Sequence, residues 1–459
     1  MSFNAQKEIA MCSTELYHRL KAEIDTMPVI DMHEHLIFPE EDYLDLARGL
    51  DADFGRFLSW YTVDDLQSAG MEISNVQEYK DTAGAVLRVN GKPLSLDEKW
   101  NYIRPYWEHT RHTGYSRAAL YSMKKLLDVD DLNDRTYREV SERLSSLMKP
   151  GVYRTMLKDI CGFTYIVNDI DTMAAPGAYE RMDHSLLHFA SRFRHFSYAY
   201  KPGGIENLEK AFNRTIRNID HLLDTMDAQF ERWKDEKGRI ALKIADAYLR
   251  DVHYEDSTRE EAERVMRRIF TLRKIPRNDE TLSYTEARPF ENFIMHRILD
   301  RAEEHGFPVM VHTGIQTHMG NEVGNSRVGL LTNLFMKYPK IRFQVLHSSY
   351  PWMKEAACLA KQFHNVSLDL SWVHIIVPEG AREGLSHMLD MVPVNKIHGF
   401  GGDALVPETI WGALEVAREN IAYVLAEKVA IGQMSESQAV VVGGKLLNGN
   451  ARQIFQFEQ

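Results

Sequence analysis

The chain has 459 residues, 44% hydrophobic and 26% charged, with a formal net charge of −11. That is enough apolar material for a large core, and it excludes a disordered or low-complexity polymer. The acidic balance, with no basic run, argues against a nucleic-acid or acidic-membrane partner. The three scattered cysteines (Cys12, Cys161, Cys358) form no CxxC pair, which excludes a cysteine zinc knuckle and fits a reducing compartment.

Residues 1–27 read as a helix leading into a strand. The opening "MSFNAQKEIAMCSTELYHRL" lacks the basic flank and apolar centre of a signal peptide. No apolar run approaches the roughly 20 residues that span a bilayer, so the expectation is a cytoplasmic protein. "VIDMHEHLIFPE", residues 29–40, carries the first strand. Strand side chains alternate faces, which predicts Asp31, His33 and His35 inward, with Ile30 and Met32 on the other face. Residues 40–160 are rich in charges and aromatics, with helical spacing in "DDLQSAGM" and "LNDRTYREVSERLSSLMKP". The chain therefore divides into residues 1–39 (N-terminal helix and first strand), a mainly helical insertion over 40–160, and the rest of the fold over 161–459.

From about residue 160, short apolar runs alternate with amphipathic helices such as "LLTNLFMKYP" and "YPWMKEAACLAKQF". The strand candidates are "GFTYIVND", "RFRHFSYAY", "RIALKIADAY", "FPVMVHTG", "IRFQVLHSS", "NVSLDLSW" and "KIHGFGGDA". Strands alternating with helices imply parallel βαβ units. With the first strand the count is about eight, which closes a (β/α)8 TIM barrel with a long helical insertion after strand 1. An open doubly wound sheet would carry a Gly-rich turn after strand one, and "DMHEHLIF" has no glycine.

Several of these strands end in a metal-binding residue type. "VMVH" ends in His312, "QVLH" in His347, and "FGGD" in Asp403, joining His33 and His35 at the C-terminal ends where barrel active sites are built. Such nitrogen and oxygen donors suit zinc, manganese or iron(II). Gly401 and Gly402 let the backbone approach closely beside Asp403. Lys243 lies on strand four with Ala245 and Ala247, open to three readings: a lysine paired with a carboxylate, a binder of a substrate carboxylate, or a carbamylated metal bridge. Further candidates for substrate binding are Arg192 and Arg194 in the third strand region, Trp107, Arg111 and Tyr115 in the insertion, and Gln316 in the loop after strand five.

The ordered His-X-His, His, His and Asp set, with "VHTGIQTHMGN", "VLHSSYPW" and "FGGDALVPE", resembles the amidohydrolase superfamily of metal-dependent barrels, in its amidohydrolase-related branch. The insertion is similar to that of the uronate isomerases in this branch. The resemblance covers roughly residues 28–455. It implies His33, His35, His312 and Asp403 as metal ligands, with His347 binding metal or polarising substrate. It also implies Asp403 and His347 as the catalytic residues. The implied cofactor is one divalent ion, Zn2+ before Mn2+ or Fe2+, and Lys243 is expected unmodified beside a substrate carboxylate. The implied activity is hydrolysis of a small amide or ester bearing a carboxylate, so the partner is an anionic small molecule, with homo-oligomerisation left open. Alternatives are a non-oxidative decarboxylase, a uronate isomerase, or a non-catalytic metal-bearing binding protein. The isomerases carry an arginine two residues after the strand-eight aspartate, where this chain has Leu405.

Overall fold

The computed structural model describes residues 3–36, 38–49, 52–58, 61–72, 88–89, 92–170, 179–236, 238–273 and 282–457. Part of the expected insertion, residues 73–87, therefore lies outside the described residues. Eight parallel strands pair in chain order: β1 (Val29–Glu34), β2 (Phe163–Ile170), β3 (Leu187–Arg192), β4 (Arg239–Ile244), β5 (Val309–His312), β6 (Phe343–Leu346), β7 (Val366–Asp369) and β8 (Ile397–His398). Backbone hydrogen bonds join the two ends of this sheet. Met32 donates to the Phe400 carbonyl (3.1 Å), Asp403 to His33 (2.8 Å) and His35 to Ala404 (3.0 Å). The result is a (β/α)8 barrel.

The strands are runs of Val, Ile, Leu and Phe because both of their faces are buried. Val309, Val311, Phe343, Val345, Val366 and Leu368 face the surrounding helices and belong to the main core. Ile30, Met32, Val167, Ala190, Ala241, Met310 and Leu346 form a second, interior cluster, closed at the bottom by Ala451, Ile454 and Phe455 of the C-terminal helix.

This packing corrects the simple alternation expected for β1. Ile30 and Met32 point inward, not Asp31. Asp31 pairs with Ile166 and Glu34 with Asn168, so β1 advances three residues while β2 advances two. That extra residue is a β-bulge, a device that re-aims side chains beside active sites. It shifts the phase so that His33 turns inward while Asp31 and Glu34 lie on the outer face.

The third strand also sits earlier than expected. "RFRHFSYAY" is not a strand: β3 ends at Arg192, and Arg194–Ser197 is a short helix. Phe193 and Phe196 are buried there, Phe193 stacking on Phe230 at 4.2 Å, and this packing overrides the apparent alternation. Arg194 consequently lies in the outer layer, among Leu242, Val309, Met295 and Ile298.

Among the described residues the insertion is mainly helical, as expected: α2 (Glu40–Gly49), α3 (Tyr61–Ser68), α4 (Leu96–Thr110), α5 (Gly114–Leu127) and α6 (Tyr137–Leu147), following α1 (Phe3–Asp25), with one antiparallel pair of short strands, Arg88–Val89 and Lys92–Pro93. A capping box at Ser95 and Glu98 starts α4. Helix α5 packs on the long helix Ile410–Ala430, where a Cβ at Gly412 would run into the Ala118 carbonyl. Among the described residues no helix is long and apolar enough to cross a membrane.

Trp107 belongs to the insertion's core. It is fully buried, and its indole N–H donates to the Leu132 carbonyl at 2.9 Å. Trp107→Ala should therefore cost about 3–5 kcal/mol of stability, seen as a lower denaturant midpoint. The folded fraction should keep wild-type metal affinity, whereas a substrate or metal contact through Trp107 would change it.

Candidate metal centre

The C-terminal ends of the strands converge on one mouth. His33 Nε2 lies 3.5 Å from Asp403 Oδ1, and His35 Nε2 lies 2.9 Å from the same oxygen. One donor atom from each of His33, His35 and Asp403 lies within 4.8 Å of the others. On the far side of Asp403, its Oδ2 lies 3.5 Å from His347 Nε2, which is 3.1 Å from His312 Nδ1.

Backbone carbonyls decide which ring nitrogens carry hydrogen. His347 Nδ1 donates to the Ser371 carbonyl at 2.9 Å, and His312 Nε2 donates to the Ile315 carbonyl at 3.1 Å. A carbonyl only accepts, so each neutral ring presents a bare nitrogen inward. Two lone pairs therefore face each other 3.1 Å apart. His33 Nε2 is likewise an acceptor, taking a hydrogen bond from Lys243 Nζ at 2.8 Å. Asp403 Oδ1 is buried, with His35 Nε2 2.9 Å away as its near neighbour. The His312 and His347 lone pairs, with no proton between them, are a donor arrangement suited to a cation, and His33 Nε2 would join it once Lys243 releases its hydrogen bond.

The electrostatics agree. Burial, followed by the Lys243 charge, holds the His33 imidazole well below its usual range. Burial and then His347 depress His312, and His347 is pushed down to about 4 by burial despite the attraction of Asp403. Burial alone would raise Asp403, but His33, His35 and His347 outweigh it and hold the carboxyl well below the usual carboxylate range. Neutral His33, His312 and His347 rings beside an ionised Asp403 are protonation states that a divalent metal requires.

The opposite wall holds charges that the strand-end reading only partly found. Arg192 grips Asp169 with Nε at 2.8 Å and Nη2 at 2.6 Å. Asp169 lies 3.8 Å from both His35 Nδ1 and Lys243 Nζ. Burial, opposed by Asp169 and Asp403, brings Lys243 down to about 8. Asp169 ends "IVND" on β2, so the strand-end rule that located the histidines also points to it.

Aromatic side chains roof the other side. Tyr61 of α3 stacks on Trp372 at 4.5 Å and on Tyr115 of α5 at 5.4 Å, and its hydroxyl donates to the Asp403 carbonyl at 2.5 Å. Trp372 meets His347 edge-on at 5.2 Å. Tyr248, after β4, lies 4.8 Å from His312. No local sequence pattern marks Tyr61 as a site residue, because its place depends on how the insertion folds back.

Of the residues singled out for substrate binding, the structure brings Lys243, Arg192 and Tyr115 to the mouth. Gln316 is near it, with Nε2 donating to Ala247 at 2.7 Å and Oε1 buried without a partner. The others are elsewhere. Trp107 is in the insertion core, Arg194 is in the outer layer, and Arg111 pairs with Asp131 at 2.6 Å toward solvent.

A family model described as Amidohydrolase matches residues 208–457, more than half of the chain. The chain belongs to the amidohydrolase family. Among curated proteins, Protein fluG of Emericella nidulans is 28% identical to this amidohydrolase over 180 residues, covering 38% of this chain. The match spans only 21% of that relative's own length. Solved structures share the fold over nearly the whole chain. Uronate isomerase from Thermotoga maritima superposes with a TM-score of 0.74 at 15% identity, covering 96% of this chain and 97% of that one. Glucuronate isomerase from Caulobacter crescentus gives 0.75 at 15% identity, covering 98% and 95%. Uronate isomerase from Bacillus halodurans gives 0.65 at 16%, covering 97% of each. At these identities the likeness is one of fold. Members of the superfamily bind divalent metals.

Replacing both His33 and His35 by Ala should abolish bound metal, measured by elemental analysis of the purified chain. Full occupancy in that variant would remove the assignment of the centre.

Proposed function

We propose that this amidohydrolase is a metal-dependent hydrolase of a small amide or ester that bears a carboxylate. The observation that carries this reading is the convergence of bare imidazole nitrogens on the ionised, buried Asp403. His33, His35 and Asp403 would hold one divalent ion, Zn2+ before Mn2+ or Fe2+, with His312 as a further donor. A divalent ion there supplies Lewis-acid activation of water near neutral pH.

The chain's own residues do the rest. Asp403 is the general base: it takes a proton at its carboxylate and returns it to the leaving group. His347, held in one tautomer by Ser371, keeps its bare Nε2 3.5 Å from Asp403 Oδ2, so the proton that Asp403 takes from water can pass to it, support the developing oxyanion and then go on to the leaving group. Arg192 is ion-paired with Asp169 and Lys243 lies 3.8 Å from the same carboxylate, so the two cations offset the charges of Asp169 and Asp403 and the added charge of a metal would be left for an anionic substrate to balance. Lys243 and Arg192 thus orient the substrate carboxylate, Gln316 offers its unpartnered Oε1, and Tyr115 forms part of the wall.

End-to-end fold similarity to uronate isomerases supports isomerisation of a sugar acid as a second reading. Leu405 favours hydrolysis. It lines an apolar pocket with Phe57, Tyr61 and Tyr115, and offers no charge to a polyhydroxylated acid. A panel of acyl amino acids, esters, lactones, aromatic acids and uronates, assayed with added Zn2+ or Mn2+, separates the readings. Turnover of uronates alone would establish the isomerase.

With a substrate from that panel, Asp403→Asn should lower kcat by about 10²–10⁴ while changing KM far less. Near wild-type turnover would rule out the base. Metal analysis should give one equivalent per chain. Two equivalents, lost on Lys243→Ala and restored by short carboxylic acids, would show a carbamylated lysine bridging two ions.

A further inference from the structure

Two buried carboxyl groups sit directly behind the metal centre without facing it. Asp31 and Glu34 are fully buried on the outer face of β1, and their side chains hydrogen-bond to each other. Burying a pair of carboxyl groups is costly unless specific hydrogen bonds compensate. Here the partners are concentrated on one short segment. Asp31 Oδ1 accepts from the backbone N–H of Gly402 (3.3 Å) and of His33 (3.1 Å). Glu34 Oε2 accepts from the N–H of Ala404 (2.6 Å). The amides on either side of Asp403 are thus held by the two carboxyl groups on either side of His33.

Asp403 needs such restraint. Its φ is +55°, in the left-handed region, where a non-glycine residue persists only when its surroundings enforce it. Its own N–H donates to the His33 carbonyl and its carbonyl accepts from Tyr61. Gly402 fits beside Glu34 because a Cβ there would run into Glu34 Oε1.

We propose that Asp31 and Glu34 are positioning residues, clamping the amides that flank Asp403 so that its carboxylate faces the space shared with His33 and His35. This rests on the metal-centre reading above. The β1 bulge makes the clamp possible, because it turns His33 inward and leaves both carboxyl groups outside. Neither residue touches substrate or metal, so their effect runs through the aim of Asp403.

The test is Zn2+ affinity of the purified full-length chain by chelator competition, with thermal unfolding measured in parallel. Removing a group that orients a metal ligand typically costs 10–100-fold in affinity, so Glu34→Ala should lose about that much. Glu34→Gln retains an amide oxygen for Ala404 and an NH2 for Asp31, and should stay within about threefold of wild type. Glu34→Asp, shortened by one methylene, should weaken Zn2+ binding as Glu34→Ala does, and serves if the alanine variant does not fold. A merely structural role would lower the unfolding temperature of Glu34→Ala and Glu34→Asp while leaving Zn2+ affinity unchanged, and that result overturns the proposal. So does a Glu34→Gln variant as weak as Glu34→Ala. A wild-type chain that binds no Zn2+ overturns the metal-centre reading itself, and the clamp with it.

Discussion

One extra residue in β1 is the constraint on which the site depends. Without the bulge, the alternation that puts Ile30 and Met32 inside the barrel would turn His33 outward, toward the helices. With it, the strand serves two layers at once: apolar side chains fill the barrel floor and imidazoles reach the mouth. The same residues close the barrel, because the N–H groups of Met32 and His35 and the carbonyl of His33 bond the segment 400–404. The candidate ligands at the ends of β1 and β8 are therefore set relative to each other by the hydrogen bonds that complete the cylinder. A loosened seam would misplace the donors before it unfolded the chain, since coordination tolerates only small errors in ligand position.

Backbone strain collects at the same end of the fold. His347, Ser348 and Ser349 after β6, Trp372 after β7 and Asp403 after β8 all have positive φ. Each such residue costs on the order of 1–3 kcal/mol and persists where surrounding structure over-determines it. Hydrogen bonds show what does so here. Ser348 Oγ donates to the Asp369 carbonyl at 2.8 Å, Ser371 N–H donates to Asp369 Oδ1 at 2.5 Å, and Trp372 N–H donates to Gly401 at 2.9 Å. The loops after β6, β7 and β8 thus form one bonded unit, and the bare nitrogen of His347 is aimed by this unit rather than by its own rotamer alone.

The barrel, its helical insertion and the metal-binding residue types were legible in the sequence because each rests on a local signal. Apolar runs mark strands buried on both faces, and a histidine or aspartate closing such a run is visible without tertiary knowledge. What was not legible depends on phase and on long-range packing. The bulge cannot be read from "VIDMHEH", since simple alternation also places His33 and His35 together, with the wrong neighbours. "RFRHFSYAY" reads as a strand until Phe193 and Phe196 find Phe230 and become core. Of Trp107, Arg111 and Tyr115, singled out in the insertion for substrate binding, Tyr115 stacks at the site, while Trp107 and Arg111 serve the insertion's own packing and surface.

The insertion determines from which side the mouth is approached. Asp64 of α3 accepts hydrogen bonds from Thr317 Oγ1 and His318 N–H in the loop after β5, both at 3.0 Å. Tyr61 and Tyr115 stack against Trp372 after β7, and Tyr61 reaches the Asp403 carbonyl after β8. The loops of β5, β7 and β8 are therefore covered by α3 and α5. On the side of β1 and β3, the His35 and Arg192 side chains keep 15% and 18% of their surface exposed, against 4% or less for Asp403, Lys243 and His347. Solvent reaches the centre past His35 and Arg192, so an incoming anion would meet the guanidinium first, while Lys243 lies deeper, against His33. Fields of this kind act most strongly in a mouth with low-dielectric walls, which the aromatic roof supplies. Under the proposed reading, this exposed edge is where a substrate carboxylate would enter, with the aromatic roof closing the other side.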